Sequence, residues 1–119
     1  MPTRYEQLPV YTTKDGSQIR ELMHPDQHGN QQQSLAEAIV APGQRTTLHR
    51  HHKSEELYHI TRGQGVMTLA NETFTVQVGD TVCIPPGTPH CIENAGHDNL
   101  HILCCCAPPY SHDDTELLD

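Results

Sequence analysis

Apolar and polar residues alternate in short runs along this chain, and no long stretch follows the 3.6-residue period of an amphipathic helix. The first runs, Pro9-Val10-Tyr11 and Gln18–Met23, read as short strands at an edge or arm. Residues 24–33 are rich in His, Asn, Gln and Gly and read as a loop, with His24 and His28 solvated rather than ligating. Ser34–Ala41 carries β-branched Ile39 and Val40 and is stopped by Pro42-Gly43, the pattern of a strand and its turn. Thr46–His51 is extended, and Leu57–Arg62 is a strand ended by Gly63. Gly65–Ala70 and Thr73–Val78 form a hairpin joined at Asn71-Glu72. Gly79-Asp80 turns the chain into Thr81–Ile84. Pro85-Pro-Gly-Thr-Pro89 is a rigid loop, followed by strands at His90–Glu93 and Leu100–Cys106. About eight or nine short strands spaced by turn residues predict an all-β sandwich or barrel.

This pattern divides the chain into N-terminal strands and loop (1–33), a β-barrel domain (34–107) and an acidic C-terminal tail (108–119), one domain overall. Pro108-Pro109 block easy continuation of the last strand, so the tail is expected to pack over the body or fray.

Composition narrows the picture. The 119 residues are 34% hydrophobic, with no Trp, one Phe and four Tyr. The core must come from Ile, Val, Leu, Ala, Cys and Met, and so lean a core favours two sheets sharing it or a homodimer. A formal net charge of −8 argues against nucleic acid or an anionic membrane as partner. The five cysteines, three of them adjacent at Cys104, Cys105 and Cys106, contain no C-x-x-C pair and suggest neither a disulfide framework nor a Cys-based zinc site. No apolar run has signal-peptide or membrane-span length, so a reduced, cytoplasmic protein is expected.

The candidate chemistry lies in His-rich stretches. Alternate side chains of a strand share a face, so His49 and His51 point the same way, with Arg45 and Thr47 beside them if the strand starts that early. Glu56 opens the next strand, sharing its face with Tyr58 and Ile60, and His90 follows the rigid Pro/Gly loop. Three neutral imidazoles and a carboxylate suit a divalent Fe, Mn, Ni, Cu, Co or Zn ion. Around such an ion the cluster carries about +1 in formal charge, which favours an anionic or enolisable ligand, or dioxygen. The same residues also fit a plainer account. His-x-His can be an exposed strand face, Glu55-Glu56 a solvated pair, and His90 a partner of a backbone carbonyl.

The spacing itself then adds a resemblance. Gly43, His49, His51, Glu56 and Gly63 match the first motif of the cupin superfamily, G-x5-H-x-H-x4-E-x6-G. Gly79, Pro85, Gly87, His90 and Asn94 match the second, G-x5-P-x-G-x2-H-x3-N. The chain thus resembles a small single-domain microbial cupin over residues 43–94. The resemblance implies a double-stranded β-helix, the jelly-roll barrel, with His49, His51, Glu56 and His90 as metal ligands. Glu56 is taken over Glu55 because it alone leaves six residues before Gly63. It further implies a metal-dependent enzyme on a small organic molecule, dioxygenase-like or oxidoreductase before isomerase-like. The alternative is a non-catalytic module that binds or senses a metal or small ligand.

Other residues have two readings each. Glu56, Tyr58 and Arg45 are the catalytic candidates. Arg45 either meets a substrate carboxylate or is an exposed strand-end Arg, and Tyr58 either donates to a metal-bound ligand or fills the barrel. Cys104, Cys105 and Cys106 read as small core hydrophobes rather than as a nucleophile or fifth metal ligand. His52 and His59 face away from the ligands. His101 is set aside because the even positions of its strand are the more apolar, and Asn94 is expected to order a turn.

Overall fold

The computed structural model describes residues 1–119 and resolves the alternating runs into eleven strands. They are β1 (Val10–Thr12), β2 (Gln18–Met23), β3 (Ser34–Val40), β4 (His49–His51), β5 (Glu55–Arg62), β6 (Gln64–Leu69), β7 (Glu72–Gln77), β8 (Thr81–Ile84), β9 (His90–Glu93), β10 (Leu100–Ala107) and β11 (Thr115–Leu117). The strands form two antiparallel sheets, ordered β1-β2-β3-β10-β5-β8 and β11-β4-β9-β6-β7. This is the two-sheet jelly-roll barrel.

Four local expectations are corrected. The loop at 24–33 contains one helical turn, α1 (Pro25–His28), with Pro at its start and Gly29 closing it at φ 86°. His24 is buried rather than solvated; its Nδ1 accepts from Asp26 N at 3.0 Å, and its Nε2 donates to the Tyr110 carbonyl at 2.8 Å. The hairpin turns one residue earlier than expected, at Ala70-Asn71, since Leu69 pairs with Glu72. The acidic tail neither frays nor merely covers the body: β11 pairs with β4, setting Thr115 opposite His51 and Leu117 opposite His49. Residues 46–48 stay outside the ladder because their backbone bonds run elsewhere. Thr46 N donates to Ile92 O and Thr47 N to Asp15 O.

Alternation decides what is buried. On β10, Leu100, Ile102, Cys104 and Cys106 face inward, and on β5 Glu56, Tyr58 and Ile60 do. The core of twelve buried residues draws on both sheets, with Ile60, Met67 and Leu100 fully enclosed. Each large aliphatic side chain of this kind contributes roughly 1.5–3 kcal/mol by leaving water. The four motif glycines Gly43, Gly63, Gly79 and Gly87 all have positive φ. At Gly63 a Cβ would also lie 2.8 Å from the Asn99 carbonyl oxygen. The second motif ends in buried Asn94, whose Nδ2 donates to Val40 O and Asp98 O while its Oδ1 accepts from Gly96 N.

Candidate metal centre

Three histidines meet inside the barrel. His49 and His51 alternate on β4, and β9 brings His90 directly opposite His49. One ring nitrogen of each lies within 4.8 Å of the others, and all three side chains are buried. The rigid loop before β9 is tied to β4, since Gly87 N donates to the His51 carbonyl at 2.6 Å.

Hydrogen bonds fix the tautomers. His49 Nδ1 donates to Thr47 O at 2.7 Å and His90 Nδ1 to Thr88 O at 2.9 Å, because a carbonyl can only accept. Thr115 spends its one hydroxyl proton on Ser111 O at 2.8 Å, so His51 Nδ1 must donate to Thr115 Oγ1 at 2.9 Å. In each neutral ring the Nε2 is then left with a lone pair. His51 Nε2 faces Glu56 Oε1 at 3.1 Å. His90 Nε2 lies 3.5 Å from the same oxygen and, fully buried, makes no hydrogen bond.

Lone pairs and a carboxylate converging in a buried space repel one another unless a cation lies between them, so this donor set fits a divalent ion. Burial pushes the Glu56 carboxyl up, but where His51 and His90 carry a proton on Nε2 in place of a metal ion, their N–H groups and charge more than offset it and hold the pKa at about 2, so Glu56 stays ionised. Burial, with His90 next in weight, lowers the pKa of His49 and so favours the neutral ring that a metal requires. Cys106, opposite Glu56 in the ladder, donates its thiol to Glu56 Oε2 at 3.3 Å. Burial and the Glu56 charge push that thiol well above the usual range, so it acts as a fixed donor rather than a thiolate.

The other candidates separate. Tyr58 is buried in the core and lines the cavity, its ring 5.9 Å from His90. Arg45 lies outside the cavity, exposed and paired with Asp119 at 3.3 Å, because β4 has not yet begun at that position. His52 pairs with Glu116, His59 meets Thr81, and His101 meets Glu37.

The cavity also has walls that no motif spacing signals. Its volume open to water centres is ≈ 50 Å³, room for a few waters or a small ligand. Asp15, in the turn before β2, sets Oδ2 3.6 Å from His49 Nε2 while Oδ1 is held by the amide and hydroxyl of Ser17. Glu21 on β2 is 8% exposed, and its Oε1 has no partner. Tyr110, from the tail, stacks edge-on 5.8 Å from the His51 ring. Strand alternation on β2 could have placed Glu21 inward with Ile19, but nothing in the sequence indicates that the arm and tail enclose the ligands.

Comparison with known proteins follows this geometry. The family model described as the cupin domain matches residues 36–106. The chain is a cupin. It is 58% identical over 117 residues to an uncharacterized protein of Methanocaldococcus jannaschii, spanning 98% of this cupin and 94% of that protein. The oxalate-binding protein of Thermotoga maritima is 31% identical over 84 residues, covering 71% of this cupin and 65% of that protein. Among solved structures, a predicted oxalate decarboxylase of Thermotoga maritima superposes with a TM-score of 0.80 at 23% identity, over 91% of this cupin and 99% of that chain. The nucleoside dehydratase Pac13 superposes at 0.79 and 18% identity, over 99% and 90%. These two likenesses show the shared jelly roll. No helix is long and apolar enough to cross a membrane.

Proposed function

We propose that this cupin holds one divalent transition metal on His49, His51, His90 and Glu56 and is an enzyme acting on a small organic molecule. The observation that carries this reading is the convergence of the Nε2 lone pairs on the Glu56 carboxylate, with Nδ1 of each ring already donating elsewhere. When bound, such an ion supplies Lewis acidity, or redox chemistry with dioxygen, to a coordinated carbonyl or hydroxyl. The protein supplies the rest. Thr47, Thr88 and Thr115 hold the rings in orientation, and Cys106 holds Glu56. Asp15 is a second carboxylate close enough to take or return a proton at a substrate oxygen beside His49.

A second reading, binding without turnover, is favoured by the relatives that are themselves named as binding proteins, among them the oxalate-binding protein of Thermotoga maritima. Loading the purified protein with Mn, Fe, Co, Ni, Cu or Zn and measuring metal per chain tests the site. One equivalent is expected, falling sharply in His51→Ala, and no retention of any of these ions overturns both readings. Oxygen uptake and product analysis on the loaded protein then separate an oxidative enzyme, a proton-transfer enzyme and a binding module.

The edge strand β1 exposes Val10, and Leu35 is exposed on β3. These residues support a homodimer joined through the N-terminal strands. Light scattering should give twice the 13.3 kDa chain mass, and a monomer at micromolar concentration would rule this out.

A further inference from the structure

The charge lining the cavity points to a class of substrate. We propose that this cupin selects a small uncharged molecule bearing hydroxyl or carbonyl groups and excludes dicarboxylates. This deepens the functional reading above and rests on its metal site.

The chain has seven basic side chains, and none lines the cavity. Lys14, next to Asp15, turns outward and donates to the His112 and Thr115 carbonyls. Arg20 is held by the Tyr5 and Leu8 carbonyls. Arg45 pairs with Asp119 and Arg50 with Glu116. Arg4, Lys53 and Arg62 are exposed. Carboxylates, in contrast, face inward: Glu56, Asp15 and Glu21 all line the cavity.

The two positive charges of a divalent ion are therefore already matched by Glu56 and Asp15, and exceeded when Glu21 is ionised. Burial raises the Glu21 pKa, and a protonated Glu21 would offer a hydrogen-bond donor rather than a charge. In neither state does positive charge remain for a dianion, which would be buried unpaired at high cost. The sequence alone suggested a positive centre attractive to anions, and the two carboxylates from the N-terminal arm reverse that expectation.

The approach has the same sign. Tyr11, Glu21 and Tyr110 line both the buried cavity and an open outer hollow, so they form the wall between metal site and solvent. That hollow also carries Asp26 and Asp113 and no Lys or Arg. Anions are steered away from such an entrance. A neutral polyfunctional molecule meets groups able to accept its hydroxyl protons: Asp15 Oδ2, near His49, and the unpartnered Glu21 Oε1. Ile19, Ala38, Val40, Ile92 and Ile102 provide apolar wall for its carbon skeleton. Rejection of the wrong charge by fixed like charges is discrimination by repulsion.

The test is a titration of the full-length, zinc-loaded protein with dihydroxyacetone and with oxalate, followed by ligand-observed NMR, with metal per chain measured on the same samples. Dihydroxyacetone is expected to bind at least tenfold more tightly than oxalate in the wild type. In the doubly substituted protein, Asp15→Asn with Glu21→Gln, oxalate affinity should rise at least tenfold, with folding checked by circular dichroism. Oxalate binding as tight as dihydroxyacetone, or no binding of dihydroxyacetone at any concentration at which oxalate is titrated, overturns the proposal. Normal metal content with that result leaves the metal site standing. Absent zinc, with dihydroxyacetone still preferred, rules out zinc as the ion and supports the charge selection, which Asp15 and Glu21 impose.

Discussion

Thr115 of the C-terminal strand accepts a hydrogen bond from the Nδ1–H of His51 at 2.9 Å and donates its own hydroxyl to Ser111 O at 2.8 Å. A residue from the tail thus decides which nitrogen of a central histidine faces the cavity. Thr115→Val keeps the shape but removes the acceptor. Metal affinity should fall on the order of 10–100-fold, the usual cost of losing such a partner, with Thr115→Ser restoring it. Competition against a chromophoric chelator reads this directly, and unchanged affinity in the valine variant would show that Thr115 does not orient the ring.

The cysteines should divide by burial. Cys83 is exposed, while Cys104 and Cys106 are buried with thiols pushed well above the usual range by burial and then by the Glu56 charge. Iodoacetamide on the native protein at pH 8 should modify Cys83 and spare Cys104 and Cys106, and all five should react in denaturant. Peptide mass spectrometry checks the pattern.

Glu21 sets a pH dependence of stability. Burial raises its pKa in the folded chain above the ordinary 4.5. As pH rises through 4.5 the unfolded chain loses this proton first, so the folded state holds more protons and loses stability. Glu21→Gln should therefore be more stable than wild type at pH 7, and the difference should close below pH 4.5. Urea midpoints at pH 7 and pH 4 measure it.

Gly63 ends β5 at φ 81°, with the Asn99 carbonyl 2.8 Å from where a Cβ would stand. Gly63→Ala should cost more than about 1 kcal/mol, since alanine is strained at positive φ and the contact is with backbone. Ile60→Ala, in the closed core, should cost about 2–5 kcal/mol through the cavity it leaves. Urea unfolding measures both, and a loss below about 0.5 kcal/mol at either site would contradict the packing described.

Much of this protein is local in origin and so is written in the sequence. Period-two alternation, broken by glycines that must take positive φ and by prolines that cannot continue a ladder, is sufficient for strands β2, β3, β5 to β10 and for an all-β barrel. Alternation also puts His49 and His51 on one face, and the motif spacing singles out Glu56 and His90. The tertiary structure decided what surrounds them. Asp15, Glu21, Tyr110 and Thr115 lie 30 or more residues in sequence from some or all of the histidines they flank, and they arrive only because β2 pairs with β3 and β11 pairs with β4. Sheet pairing between distant strands leaves no periodic trace in either partner. The character of the donor set can be read along the chain, whereas the charge and closure of the cavity follow from segments that meet only when it folds.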